Sequence, residues 1–141
     1  MPLTPQRPRG IDPVNSTDIL PNPPIVIVED DKGVRNALRF RMELEGWPVI
    51  DYASAEDLLE EASLPDRGCL VLDQILPGLS GLDLLSRLRA GGVGLPAIVI
   101  TTYPSAAVRA RAAKDAVEIV EKPLFNDALI EAVRGVLANQ A

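Results

Sequence analysis

Short apolar runs and helix-spaced apolar residues alternate along the chain from Pro24 onward. Ile25-Val26-Ile27-Val28 is wholly apolar, and Val34, Ala37, Leu38 and Met42 then recur at the spacing of one helix face until Gly46. Val49-Ile50-Asp51-Tyr52 reads as a weaker strand. Ser54 reads as the N-cap of the next helix, with Asp57 three residues on and Leu58, Leu59 and Ala62 as its apolar side. Cys69-Leu70-Val71-Leu72 is the third run. Pro77-Gly78 marks a turn, and Leu82, Leu85 and Leu88 follow as a helix closed by Gly91-Gly92. Ala97-Ile98-Val99-Ile100 precedes a helix over Ser105–Lys114. Val117-Glu118-Ile119-Val120 precedes a last helix striped by Leu129, Ala132, Val133 and Val136. Five repeats of strand then helix predict an α/β domain, a doubly wound five-stranded parallel sheet with five helices on its two faces. Wholly apolar runs suit strands buried on both sides, so the less apolar Val49–Tyr52 is expected at an edge.

The first 23 residues break this pattern. Pro2, Pro5, Pro8, Pro13, Pro21 and Pro23 remove backbone donors and resist both helix and sheet. Residues 1–23 are therefore expected to be a disordered leader, and residues 24–139 the folded domain. The formal net charge of -6 argues against nucleic acid as a partner. No apolar run approaches the roughly 18 residues of a membrane span. Arg7 and Arg9 are not followed by the apolar stretch of a secretory signal. One cysteine, Cys69, forbids an internal disulfide and fits a reducing compartment, so a cytoplasmic location is expected. The chain has no histidine, which excludes histidine acid–base chemistry, a phosphohistidine and histidine-built zinc sites.

In an open parallel sheet, ligands bind beyond the C-terminal ends of the strands. Glu29-Asp30-Asp31 follows the first apolar run, Asp73 the third, Thr101 and Thr102 the fourth, and Glu121-Lys122-Pro123 the fifth. One edge of the sheet thus gathers several carboxylates, a hydroxyl and an amine. Clustered carboxylates repel one another, and a divalent cation relieves that cost. Hard oxygen ligands with open positions suit Mg²⁺. A carboxylate is also a nucleophile toward phosphorus, given cationic neutralisation and aligned donors. The set can move a phosphoryl group without a histidine.

These stretches resemble a response-regulator receiver domain, and within that family the nitrogen-fixation type of regulator. The resemblance rests on Ile25-Val26-Ile27-Val28-Glu29-Asp30-Asp31, on Val71-Leu72-Asp73-Gln74-Ile75-Leu76-Pro77-Gly78-Leu79-Ser80-Gly81, on Pro96-Ala97-Ile98-Val99-Ile100-Thr101, and on Glu121-Lys122-Pro123. It implies the flavodoxin-like receiver fold and a two-component or phosphorelay role. It further implies Asp73 as the phosphoacceptor, Thr101 as the switch hydroxyl and Lys122 as the amine that contacts phosphate. For Mg²⁺ it implies Asp30, Asp73 and the Ile75 carbonyl as ligands, with Glu29 acting through water. The Lys122–Pro123 bond resembles one that is cis in the family. The implied partners are a sensor histidine kinase or histidine phosphotransfer protein as donor, a downstream protein, and a phosphorylation-dependent homodimer. Only about two residues follow the last helix, so a stand-alone receiver is expected. Such a protein catalyses nothing beyond its own phosphorylation and dephosphorylation.

Three features depart from the family. Ile119 stands where the switch aromatic is usual, the glycine usual before the fifth strand is missing near Asp115, and Thr102-Tyr103-Pro104 follows Thr101. They favour as an alternative a degenerate receiver used as an unphosphorylated adaptor. They also make Tyr103 a candidate substitute for the missing aromatic. A phosphatase of the haloacid-dehalogenase type also uses a nucleophilic Asp with Mg²⁺, but expects a second Asp where Ile75 stands. Several residues read as structural. Asp31 is expected to cap the first helix, Cys69 to be inert core, Trp47 to pack at a strand start, and Arg109, Arg111 and Lys114 to form a solvated helix face.

Overall fold

A computed structural model describes residues 22–61, 63–122 and 127–140. The expected leader lies almost wholly outside the described residues, as do Ala62 and the Lys122–Pro123 bond. The elements are β1 (Ile25–Val28), α1 (Lys32–Leu44), β2 (Val49–Tyr52), α2 (Ala55–Leu59), β3 (Cys69–Asp73), α3 (Gly81–Ala90), β4 (Ala97–Thr101), α4 (Ala106–Lys114), β5 (Glu118–Glu121) and α5 (Ala128–Ala138). All strands pair in parallel in the order β2-β1-β3-β4-β5. The sparsely apolar β2 is an edge, as its composition requires.

The period-two geometry of a strand divides each apolar run between two cores. Val26, Val28, Leu70, Leu72, Ala97 and Val99 face one side, where they meet Leu58 of α2, Leu82, Leu85 and Leu88 of α3, and Ala112 of α4. Ile25, Ile27, Cys69, Val71, Ile98 and Ile100 face the other, against Leu38 and Met42 of α1 and Leu129, Ile130 and Val133 of α5. Helices α1 and α5 thus cover one face, and α2, α3 and α4 the other. Each fully buried Leu or Ile side chain contributes about 1.5–3 kcal/mol. The three central strands, buried at every position, are therefore the rigid base of the molecule.

The starts of α1 to α4 are fixed by side-chain caps, whereas α5 has no side-chain cap bond among the described residues. Asp31 accepts from the Val34 amide, Ser54 from Asp57, Ser80 from Asp83 and Ser105 from Val108. Two sequence expectations change. Ala37 is exposed, so α1 buries only Leu38 and Met42, with Val34 partly buried beside them. β5 begins one residue late, at Glu118, because the Val117 amide still bonds to the Ala112 carbonyl of α4 (2.8 Å). Finally, the solvated face that carries Arg109 and Arg111 is also tied to neighbouring elements. Arg109 pairs with Glu121 of β5 (2.9 Å), and Arg111 with Asp83 of α3 (2.8 Å).

Candidate functional site

The direction of winding reverses between β1 and β3. From β1 the chain crosses to β2 on one side, and from β2 it returns to β3 on the other. The crevice at such a point is where open α/β sheets bind ligands. Glu29 and Asp30 leave the end of β1 there, and Asp73 ends β3. Carboxylate oxygens of Glu29, Asp30 and Asp73 all lie within 4.8 Å of one another. Glu29 (1% exposed) and Asp73 (3%) are buried, whereas Asp30 is exposed at the mouth.

The hydrogen bonds divide the acids between different partners. Lys122, just beyond β5, donates from Nζ to Glu29 Oε1 (3.0 Å) and to Asp73 Oδ2 (3.2 Å). The other Glu29 oxygen accepts from the Asp31 amide (3.2 Å), and Asp73 Oδ1 accepts from the Ile75 amide (3.2 Å). Lys122 is itself placed by its backbone amide, which donates to the Thr101 carbonyl (2.8 Å). Burial pushes the Glu29 carboxyl up to about 7; the Lys122 ammonium and the Asp31 amide pull it down, and the Asp73 carboxylate adds to the rise. Burial also works against the Lys122 ammonium, but Glu29 and Asp73 outweigh it, and its net shift is upward.

Thr101 ends β4 and is buried. Register pairs Asp73 with Ile100, so Thr101 lies one residue further along the neighbouring strand, at the same sheet edge. Ile75 and Tyr103 flank this edge with 69% and 90% of their surface exposed. Tyr103 has a left-handed backbone (φ 50) and does not fill the place of the missing aromatic. Ile119 packs half-buried against the α2–α3–α4 core instead.

Sequence reading missed three contributors. Gln74 is buried, and its Oε1 accepts from the Leu82 amide (2.9 Å), tying the end of β3 to the start of α3. Gly81 lets α3 begin against β3, since a Cβ there would lie 2.5 Å from the Asp73 carbonyl oxygen. Arg35 of α1 reaches back to the acidic loop, with Nη1 2.8 Å from the Glu29 carbonyl oxygen and 3.4 Å from that of Asp30. A motif reading could have found Gly81 and Gln74, which adjoin or lie within the Asp73 stretch. Nothing in the local pattern marks Arg35.

Three hard oxygen donors within one small volume, two of them bridged by an ammonium, fit a Mg²⁺ ion that keeps open positions for water and a phosphate oxygen. The residues that could hold it are Asp30, Asp73 and Glu29. The arrangement can also present the Asp73 carboxylate, fixed at both oxygens, to an electrophilic phosphorus.

The chain matches the family described as "Response regulator receiver domain" over residues 25–134. It is 38% identical over 119 residues to the transcriptional regulatory protein FixJ of Azorhizobium caulinodans, covering 84% of this chain and 56% of that protein. It is 37% identical over 111 residues to nodulation protein W of Bradyrhizobium diazoefficiens, covering 77% of this chain and 48% of the relative. The chain therefore spans about half the length of these relatives. Among solved structures it resembles the one titled "Crystal structure of FixJ-N", with 30% identity, a TM-score of 0.74, and coverage of 86% of this chain and 98% of that one. Matching sequence, matching fold and an acidic crevice at the reversal of the sheet agree, and the chain belongs to the response regulator receiver domain family.

Proposed function

We propose that the chain is a phosphoacceptor, taking a phosphoryl group on Asp73 from the phosphohistidine of a sensor histidine kinase or histidine phosphotransfer protein. One observation carries this reading: a single ammonium, Lys122 Nζ, bridges the buried Asp73 and Glu29 within 3.2 Å, inside a cluster of three carboxylates. A salt bridge needed only for stability would not gather a third acid beside it, because like charges raise one another's cost.

An oxygen of Asp73 attacks the phosphorus, an O–P bond forms, and the donor's P–N bond breaks with its electron pair left on the imidazole nitrogen. The Ile75 amide and the Lys122 ammonium orient the attacking carboxylate. Lys122 then follows the charge onto the phosphoryl oxygens, and Thr101 offers its hydroxyl to one of them. Mg²⁺ held by Asp30, Asp73 and the Ile75 carbonyl, with Glu29 behind a water, would supply the remaining positive charge. Phosphorylation would then alter a protein-docking surface, either for a downstream protein or for a second copy of the chain. The work belongs in the cytoplasm, where such kinases deliver phosphate. No helix among the described residues is long and apolar enough to cross a membrane.

The test is intact-mass measurement with a small acyl phosphate, with and without Mg²⁺. One Mg²⁺-dependent, base-labile phosphoryl group is expected on the wild type and none on Asp73→Asn. Labelling that survives in Asp73→Asn removes the assignment. A wild type that never gains phosphate is the unphosphorylated adaptor. Many turnovers of phosphate release per chain would identify a phosphatase.

A further inference from the structure

We propose that Arg35 is a positioning residue for the metal-binding acids, holding the loop that aims Asp30 into the crevice. The inference rests on the phosphoacceptor reading and adds to it a side chain that touches neither phosphate nor metal.

Helix energetics alone do not account for Arg35. α1 opens with Lys32, Gly33, Val34 and Arg35 and, like α4, has no acid in its first turn, whereas α2 carries two there and α3 and α5 one each. A cation at a helix N-terminus opposes the macrodipole by about 0.3–1 kcal/mol. The side chain recovers this by turning back over the Asp31 cap, where its guanidinium meets the Glu29 carbonyl at 2.8 Å and the Asp30 carbonyl at 3.4 Å. Those two peptides carry the two acids that follow β1.

The loop needs such a hold. The Glu29 side chain is fixed by Lys122 and the Asp31 amide, and its backbone amide by the Tyr52 carbonyl (3.2 Å). Asp30 is exposed, and among the described residues no hydrogen bond or ion pair fixes its carboxylate. Its backbone therefore sets only where the carboxylate starts from, and Arg35 is the side chain that grips that backbone. Partners of this kind, one layer behind the ligands, commonly set metal affinity by orienting them.

The sign of one measurement separates this role from plain electrostatics. A guanidinium near a cation site repels the cation, so on charge alone its removal should tighten Mg²⁺ binding. A positioning residue does the reverse. Mg²⁺ is titrated calorimetrically into the metal-free protein, and the Asp31 amide resonance is followed as a report on the loop. Arg35→Met, which keeps the stem but loses donor and charge, is expected to weaken Mg²⁺ binding about tenfold and shift the Asp31 resonance before any metal is added. Arg35→Lys, which can still reach one carbonyl, is expected to recover most of the affinity. Unchanged or tighter binding in Arg35→Met overturns the proposal, and so does a Met variant that fails to fold, since the role would then be general stability. A wild type that binds no Mg²⁺ at millimolar concentration would remove the phosphoacceptor reading itself, a result distinct from any in the variants.

Discussion

Gly81 shows how finely single atoms are placed beside Asp73. Its backbone amide donates to the Gln74 carbonyl (3.1 Å), and a Cβ at this position would lie 2.5 Å from the Asp73 carbonyl oxygen and 3.1 Å from its carbon. These are backbone atoms of a central strand and cannot move aside cheaply. Gly81→Ala should therefore cost about 1–3 kcal/mol in urea unfolding, the range for overpacking a close contact. It should also slow phosphorylation, because α3 would push on the peptide that carries Asp73. Wild-type stability in the variant would show that the contact relaxes freely. The acids and Lys122 were legible from sequence because each follows an apolar run, and strand ends in a parallel sheet share one edge. Arg35 was not, because a residue inside a helix pattern says nothing about the loop its side chain folds back upon.

At the scale of elements, the α4–β5 connection turns through a left-handed residue that is not glycine. The missing glycine, expected near Asp115, belongs one residue on: Asp115 caps α4 with a right-handed backbone, and Ala116 takes the left-handed turn at φ 57. An L side chain in that conformation costs roughly 1–2 kcal/mol, while glycine costs about 0.5–1 kcal/mol in extra unfolded-state freedom. Ala116→Gly is accordingly expected to stabilise the protein by about 0.5–1 kcal/mol, read as a higher urea midpoint at unchanged slope. A lower midpoint would mean that the methyl group packs usefully. The same helix is tied down by Arg109 to Glu121 and Arg111 to Asp83, both exposed pairs of the kind worth well under 1 kcal/mol each. These cross-element ties were invisible in the sequence, since partners 12 and 28 residues apart belong to different elements.

For the molecule as a whole, two apolar layers fix the sheet, and the sheet forces three carboxylates together at its reversal point. That gathering costs stability in the metal-free protein, and a bound divalent ion should return it. At a Mg²⁺ concentration ten times its dissociation constant, the folded state should gain about 1.4 kcal/mol and melt several degrees higher. Asp73→Asn should gain clearly less, having lost one anionic ligand. Equal shifts in the two proteins would show that Asp73 does not take part in holding the ion.

The sequence by itself determined the order of elements, the Asp31 and Ser54 helix caps, the family, and the gathering of Glu29, Asp30, Asp73 and Lys122 at one sheet edge. It could do so because burial on both faces demands unbroken apolar strands, and because polar residues at their ends have a single place to go. Tertiary structure alone decided which acid lies buried and which at the mouth, and that one ammonium spans two of them. It also decided that α4 ends on a left-handed Ala116, that Tyr103 points to solvent rather than filling the place left by Ile119, and that Arg35 reaches the carbonyls behind the acids. Each of these depends on distances between elements far apart in the chain, and local periodicity carries no information about such distances.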